Sequence, residues 1–231
     1  APAPKPPAPE AHGRAGQNPR EAAWDLRAAA LDTLFPLARY DLLAAGKKFG
    51  RLTFKTTRLK EEGREIYCFT DTLVVDDGRE RTSTAYEFRC LPGRFMTPLK
   101  LSVTQDSGAN ANDEEVVSQE LSYAEGKVSG TFNGREMSAP VPPGEPLLYL
   151  MAVYRLAVAM PLEEGAEAAF LLHEGGGQMS KHCVLRCTGR APVAWNGKEV
   201  QAWKLEYAWG KPARGLGIFW ITEDRKLIKM E

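Results

Sequence analysis

Between residues 38 and 139 the apolar positions recur with a period of two. Leu52 and Phe54 alternate with Arg51, Thr53 and Lys55. Leu99, Leu101 and Val103 alternate with Lys100, Ser102 and Thr104, and Val117, Leu121 and Tyr123 share one parity against Ser118, Glu120 and Ser122. Successive side chains of a strand point to opposite faces, so this alternation predicts strands with one buried and one wet face, the habit of antiparallel sheets. Turn-forming pairs separate the segments, among them Glu62-Gly63, Asp77-Gly78, Pro92-Gly93, Glu125-Gly126 and Asn133-Gly134. Hairpins in a row with no helix between them make a meander. A long meander twists until it closes into a barrel or curls into an open one. After Gly165 the pattern resumes with Cys183, Leu185 and Cys187, the Asn196-Gly197 turn, and Trp203, Leu205, Tyr207 and Trp209 against Ala202, Lys204, Glu206 and Ala208. About ten to twelve strands are expected in all.

Two stretches depart from this period. Between Pro146 and Pro161 nearly every side chain is apolar, and Arg155 carries the single charge. Proline at both ends predicts a helix of about fourteen residues, and one apolar nearly all round is buried on more than one side. Burying six or seven large side chains at ~1.5–3 kcal/mol each supplies on the order of 10–20 kcal/mol of gross driving force. The concave side of the curled sheet offers such an environment. Near the N-terminal end, Asn18 is a good cap, Pro19 suits a first helical position, and Glu21 stands three residues after the cap. Trp24, Ala28, Leu31 and Phe35 then recur at helical spacing until Pro36. The expected fold is therefore all-β with two helices: a curled antiparallel meander forming an open or incomplete barrel, an apolar helix in its concave face, and an N-terminal amphipathic helix. Residues 1–17 read as a disordered Pro/Ala-rich linker and 18–231 as a single β-rich domain.

The chain has 231 residues, with thirty basic side chains against thirty acidic. Zero net charge argues against a nucleic-acid groove or a polybasic membrane patch. The apolar stretch of 146–162 carries Arg155 and falls short of the ~20 residues that span a bilayer, so no transmembrane span is expected. APAPKPPAP over residues 1–9 favours an extended spacer. Such a tract suits an exported protein of the periplasm or cell envelope, soluble or held from a membrane by a lipid anchor upstream. The cysteines leave their redox state open. Cys183 and Cys187 would lie roughly 13 Å apart along one strand, too far to bridge. A two-residue loop at Asp77-Gly78 would set Cys68 opposite Glu87 and Cys90 opposite Glu65, on opposite sheet faces. Free thiols acting as small hydrophobes are the simpler expectation.

A family resemblance rests on particular stretches. Residues 40–54, with Tyr40, Gly46, Gly50 and Phe54, look like the opening hairpin of a family of bacterial exported proteins of unknown function. The block 146–165, with Tyr154-Arg155 and Met160-Pro161-Leu162, is similar to that family's middle helix. Residues 192–207 and Phe219-Trp220-Ile221-Thr222-Glu223-Asp224 resemble its last hairpins. Such proteins look like relatives in fold of the periplasmic lipoprotein carriers, which hold acyl chains in a half-barrel roofed by helices. The resemblance implies an open barrel and carries no catalytic residues to transfer.

Candidate chemistry is sparse. No nucleophile elbow, zinc-helix motif or phosphate loop occurs, and no cofactor or catalytic residue is expected. His173 and His182 flank Gly175-Gly176-Gly177 and are weak metal candidates. They are cross-strand neighbours if Gly177-Gln178 form the loop, and out of register if Gly175–Gly177 do. The candidate ligand-binding residues are Tyr154, Arg155, Trp203, Tyr207 and Trp209. The aromatics combine apolar faces with polar handles, and Arg155 pairs with a concave-face carboxylate or reaches the rim to meet an anionic head group. The leading functional expectation is non-catalytic binding of an apolar or amphipathic ligand, lipid or acylated cargo, between helix and curled sheet. The competing expectation is an envelope scaffold or assembly protein that binds another protein. A third is a hydrolase with a carboxylate or His/Cys site in a cleft.

Overall fold

The computed structural model describes residues 37–231 apart from 45, 77, 79–80, 94, 108–116, 143–145, 176–177 and 210–214. The expected linker of 1–17 and the amphipathic helix after it lie outside the described residues. Eight strands pair in sequence order into one large sheet: β1 (Leu37–Ala44), β2 (Lys47–Glu61), β3 (Arg64–Asp76), β4 (Arg81–Cys90), β5 (Pro98–Ser107), β6 (Val117–Ala124), β7 (Lys127–Phe132) and β8 (Arg135–Pro140). This is the expected curled antiparallel meander. Its tight turns at Glu62-Gly63, Glu125-Gly126 and Asn133-Gly134 have both central residues at positive φ, the turn whose twist matches that of the flanking strands.

The remaining strands form a second sheet rather than continuing the first, and the total exceeds the ten to twelve expected. β9 (Leu147–Tyr149), β10 (Glu167–Gly175), β11 (Gln178–Trp195), β12 (Lys198–Trp209), β13 (Gly215–Ile221) and β14 (Leu227–Met230) pair in the order β14-β13-β12-β11-β10-β9. One helix, α1 (Ala152–Ala159), joins β9 to this sheet. It is shorter than the fourteen residues expected, because the apolar stretch after Pro146 divides its backbone between two partners. Leu147, Leu148 and Tyr149 pair in parallel with Leu171, Leu172 and His173, and the Pro146 carbonyl accepts from the Leu171 amide at 2.8 Å. The edge of β10 takes these three residues as a parallel strand, and the helix begins only after them. Hydrophobicity alone does not separate a buried strand from a buried helix.

The rest of the stretch behaves as its composition dictates. Ala152, Val153, Leu156, Ala157, Val158 and Ala159 are all buried, in one core shared with Phe54, Phe69 and Phe88 of the large sheet and Phe170, Leu185, Leu205 and Phe219 of the small one. Tyr154 sits between the sheets, its ring 4.9 Å from Phe54 and 5.7 Å from Phe219. The C-terminal carbonyls of α1 are met from outside the helix, since the Arg225 guanidinium donates to Val158 O at 2.7 Å and Met160 O at 2.8 Å. A cation at that end also opposes the helix dipole.

A bulge in β11 creates a second, smaller core. Cys187 faces Leu205, but Gly189 rather than Thr188 faces Lys204. One extra residue turns the rest of the strand over, so Val193 packs with Ala202 and Trp220 on the opposite side of the sheet.

The cysteines are all free and buried. Four residues rather than two separate Asp76 from Arg81, which sets Cys68 opposite Arg89 and Cys90 opposite Tyr67. The register differs from the two-residue loop by an even step, so the thiols keep their opposite faces. Burial pushes the Cys68, Cys90 and Cys187 thiols up, away from reactive thiolate.

Two glycines of the large sheet leave no room for a side chain, and at Gly50 on β2 a Cβ would stand 2.5 Å from the Val74 carbonyl oxygen. Gly130 on β7 lies at φ +152°, and a Cβ there would stand 1.9 Å from the Glu120 carbonyl oxygen of the paired strand. Gly130→Ala is expected to cost about 1–3 kcal/mol, read as a lower urea midpoint at unchanged slope. An unchanged midpoint would contradict this register.

Candidate ligand-binding cleft

The two sheets meet along a seam where β1 ends one and β14 ends the other, and neither strand has a further partner in its sheet. Alternation along β1 turns Ala38, Tyr40 and Leu42 toward the core, leaving Leu37, Arg39, Asp41 and Leu43 exposed. The Tyr40 hydroxyl spans the seam and donates to the Leu227 carbonyl at 2.9 Å. Its ring meets Phe54 edge-on at 5.6 Å. Burial pushes the Tyr40 phenol up to about 12, against a small opposite pull from Arg155. The hydroxyl therefore stays a donor at ordinary pH.

Around this bridge lies a cleft of about 1440 Å³, with β1 as one wall, residues 226–231 as the other, and Ala194, Trp195 and Asn196 at one end. Four large apolar side chains are exposed among the described residues, and three of them line this cleft: Leu37, 54% exposed, Leu43, 62%, and Trp195, 39%. Charges rim it. Asp41 is held by Lys48 at 2.6 Å and Arg51 at 3.4 Å, and the Lys48 contact chiefly lowers its carboxyl. Asp224 is likewise lowered, first by Lys226 at 2.6 Å and then by Thr222. Lys229 pairs with Glu231. Arg39 has no carboxylate partner among the described residues.

The five residues expected to bind a ligand fall elsewhere. Arg155 is fully buried and forms a two-pronged pair with Asp71, donating at 2.6 Å and 2.5 Å. It also donates to Thr56 Oγ1 at 3.4 Å, Met151 O at 3.2 Å and Lys55 O at 3.3 Å. The rings of Phe69 and Phe54 lie 4.4 Å and 5.0 Å from its guanidinium carbon. It takes the concave-face carboxylate and leaves the rim. Burial pushes the Asp71 carboxyl up, while Arg155 pulls it down. Tyr207 stacks 6.3 Å from Phe170, and its hydroxyl lies 3.5 Å from Cys183 Sγ. Trp209 packs against Tyr207 at 5.4 Å. Trp203 donates to Glu223 at 3.0 Å, beneath the Arg190 guanidinium at 4.8 Å. None of these side chains, nor Tyr154, lines the cleft. A second hollow of about 300 Å³, lined by Phe95, Tyr123, Val141 and Leu147 among others, touches β9 and no residue of α1.

His173 and His182 do not meet. A bulge sets His173 opposite Met179 while His182 faces Leu171. His173 is buried, with Nδ1 2.7 Å from the Tyr123 hydroxyl, and His182 is exposed. No cluster of three or more His, Cys, Asp or Glu side chains suited to a metal occurs among the described residues.

Two features escaped the sequence reading. Asp71 shares the parity of Tyr67 and Phe69 on β3, so the period of two places it on the buried face, where its one available cation is Arg155. The adjacent pair Leu42-Leu43 breaks the alternation of β1 and marks the apolar side chain left outside. The approach of β1 to β14 across the seam left no local signal.

No protein-family model matches the chain. No curated protein matches it. Among solved structures it is similar to the crystal structure of a beta-barrel-like protein of domain of unknown function DUF1849 from Brucella abortus. That likeness has a TM-score of 0.48 and 11% sequence identity, and covers 84% of this chain and 89% of that one. No helix among the described residues is long and apolar enough to cross a membrane.

Two outcomes test this geometry. Arg155→Met and Asp71→Leu should each cost about 3–5 kcal/mol, because each strands a buried charge. The double variant should be more stable than the sum of the singles implies, by at least about 2 kcal/mol in urea unfolding; simple additivity would refute the pair. For Tyr40, the unfolded phenol ionises near 10 and the folded one near 12. Its contribution is intact below pH 10 and is lost as pH rises from 10 toward 12, where the unfolded state releases its proton first. Stability should fall more steeply over that window in the unaltered chain than in Tyr40→Phe, as read by urea titrations at each pH.

Proposed function

We propose that this is a non-catalytic binding protein that takes an apolar or amphipathic ligand, such as a lipid or acyl chain, in the cleft between β1 and β14. The observation that carries the reading is the gathering of Leu37, Leu43 and Trp195 at one opening that is also rimmed by charge. A soluble surface rarely leaves large apolar side chains clustered without use. At about 1440 Å³ the cleft exceeds the ~300–1,000 Å³ common for drug-sized ligands, which favours a long chain over a compact metabolite. Arg39 at the rim suits an anionic or zwitterionic head group. The ligand site moves from the space beside α1 to the seam, since the helix is packed closely through Ala152, Ala157 and Ala159. The Pro/Ala tract of residues 1–9 and the resemblance to exported half-barrel proteins support a place in the periplasm or cell envelope.

The test uses the full chain with Nile red and a pyrene-labelled phospholipid as probes. Both should bind, and Leu43→Glu combined with Trp195→Ser, two exposed positions, should weaken them at least tenfold, about 1.4 kcal/mol. Equal affinity in the variant would remove the cleft as the binding site. Phospholipid recovered by native mass spectrometry of protein purified from its own cell envelope would support both ligand class and compartment.

A further inference from the structure

We infer that the β1–β14 cleft is a slot for one extended strand of a partner protein, which pairs its backbone with both free edges and sets an acidic side chain against Arg39. This goes beyond the apolar-ligand reading, because a lipid uses few of the main-chain groups on the two walls. β1 and β14 each end a sheet, and about half of the N–H and C=O groups of an edge strand point away from its single neighbour. On β14 their direction is explicit. Glu231 exchanges both backbone hydrogen bonds with Ile218 of β13, at 2.9 Å each, so alternation turns the N–H and C=O of Met230 away from β13 and toward the cleft. No backbone hydrogen bond joins β1 to β14 among the described residues, so the two edges stand outside the ~4.8 Å spacing of a paired ladder. The Tyr40 hydroxyl, reaching the Leu227 carbonyl, limits the gap from above. A tyrosine side chain and one hydrogen bond at full stretch span about 9 Å, close to the ~9.5 Å between two strands that flank a third. One strand fits between the walls, and two do not.

The side chains specify what kind of strand it is. Tyr40 lies on the core-facing side of β1, so an inserted strand passes over its ring and carries small residues on that face. On the outward face β1 presents Leu37, Arg39, Asp41 and Leu43 in series. Directly opposed side chains on one face of an antiparallel pair interact, so a strand running antiparallel to β1 meets them in the order Leu43, Asp41, Arg39, Leu37. Asp41 already holds Lys48 and Arg51, and on the far wall Asp224 holds Lys226 and Glu231 holds Lys229. Those carboxylates stay with their own cations. Arg39 is exposed and has no carboxylate partner among the described residues, and its complement is a Glu or Asp on the incoming strand. Exposed Leu37 and Leu43 take apolar side chains at the two ends. The fitting segment therefore reads apolar, small, polar, small, acidic, small, apolar. Strand addition of this kind draws affinity from main-chain bonds and specificity from alternate side chains.

The experiment adds the acetylated, amidated heptapeptide Val-Ala-Thr-Ser-Glu-Ala-Val to the full chain. Affinity is read by calorimetry, amide exchange over residues 37–44 and 226–231 by mass spectrometry, and mass by light scattering. The inference expects binding to a monomer and at least fivefold slower exchange in both strands. N-methylation at alternate peptide residues should weaken binding at least tenfold, because it removes main-chain donors and keeps the apolar surface. Arg39→Glu should weaken it at least threefold, with recovery when the peptide's Glu is replaced by Lys. No binding at millimolar peptide overturns the inference. So does equal affinity of the N-methylated form, which makes the contact merely apolar, or protection of one strand alone. A chain that dimerises as its concentration rises, with slowed exchange in the same two strands, overturns it as well, since a second copy is then the occupant. Nile red bound where the peptide is not leaves the apolar-ligand reading standing and ends this one; peptide bound where Nile red is not does the reverse.

Discussion

The structure depends on one buried ion pair. Arg155 brings a full charge into a mostly aliphatic and aromatic core, and Asp71 meets it with both oxygens. Removing two ions from water costs several kcal/mol each, and only near-ideal geometry offsets that cost. The geometry here is specific to arginine. The flat guanidinium lies near the rings of Phe69 and Phe54 while its edge donates to a carboxylate, a hydroxyl and two carbonyls. A lysine ammonium has neither the planar face nor the fork. The pair consequently fixes both the rotation and the depth of α1, since Asp71 lies on β3 and the helix cannot slide without stranding a charge.

With α1 fixed to the large sheet, the small sheet is fastened to α1 in turn. Arg225, in the turn between β13 and β14, holds the last carbonyls of the helix, and Tyr154 fills the space between Phe54 and Phe219. On the other flank Tyr123 of the large sheet meets His173 of the small one. The helix thus works as a bolt between two curved walls. Closure along β1 and β14 remains incomplete, with the Tyr40 hydroxyl reaching across where a ladder of backbone bonds would otherwise run. Strand edges left in that condition attract partners, and charges such as Arg39, Asp41 and Lys229 along them oppose indiscriminate pairing.

Much of this was legible in the residues. The period of two identified the strands and faces of the meander, the Glu-Gly and Asn-Gly pairs set its turns, and the lone charge at Arg155 called for either a concave-face carboxylate or a place at the rim. The division of the apolar stretch between β9 and α1 was not legible. Leu147 and Leu156 are equally hydrophobic, and what separates them is the edge of β10, a strand made later in the chain. The aromatic stripe of β12 was correctly placed on one face, yet Tyr207 and Trp209 are consumed by packing against Phe170 and each other, because periodicity reports a face and not the volume left over it. The histidines miss each other because the hairpin closes at Gly175 and Gln178, a register that leaves His182 opposite Leu171, two residues from His173.

Local chemistry by itself determined which residues could be strands, where the chain must turn, which faces avoid water, and that one charge must find either a partner or the rim. Each follows from side-chain spacing and backbone sterics over a few residues. Only the tertiary structure decided that the fourteen strands among the described residues divide into two sheets, that Asp71 is the partner of Arg155 across 84 residues, and that the free edges of β1 and β14 face one another. Those outcomes are settled by competition among distant segments for the same hydrogen bonds and the same space, and no local window of sequence contains both competitors.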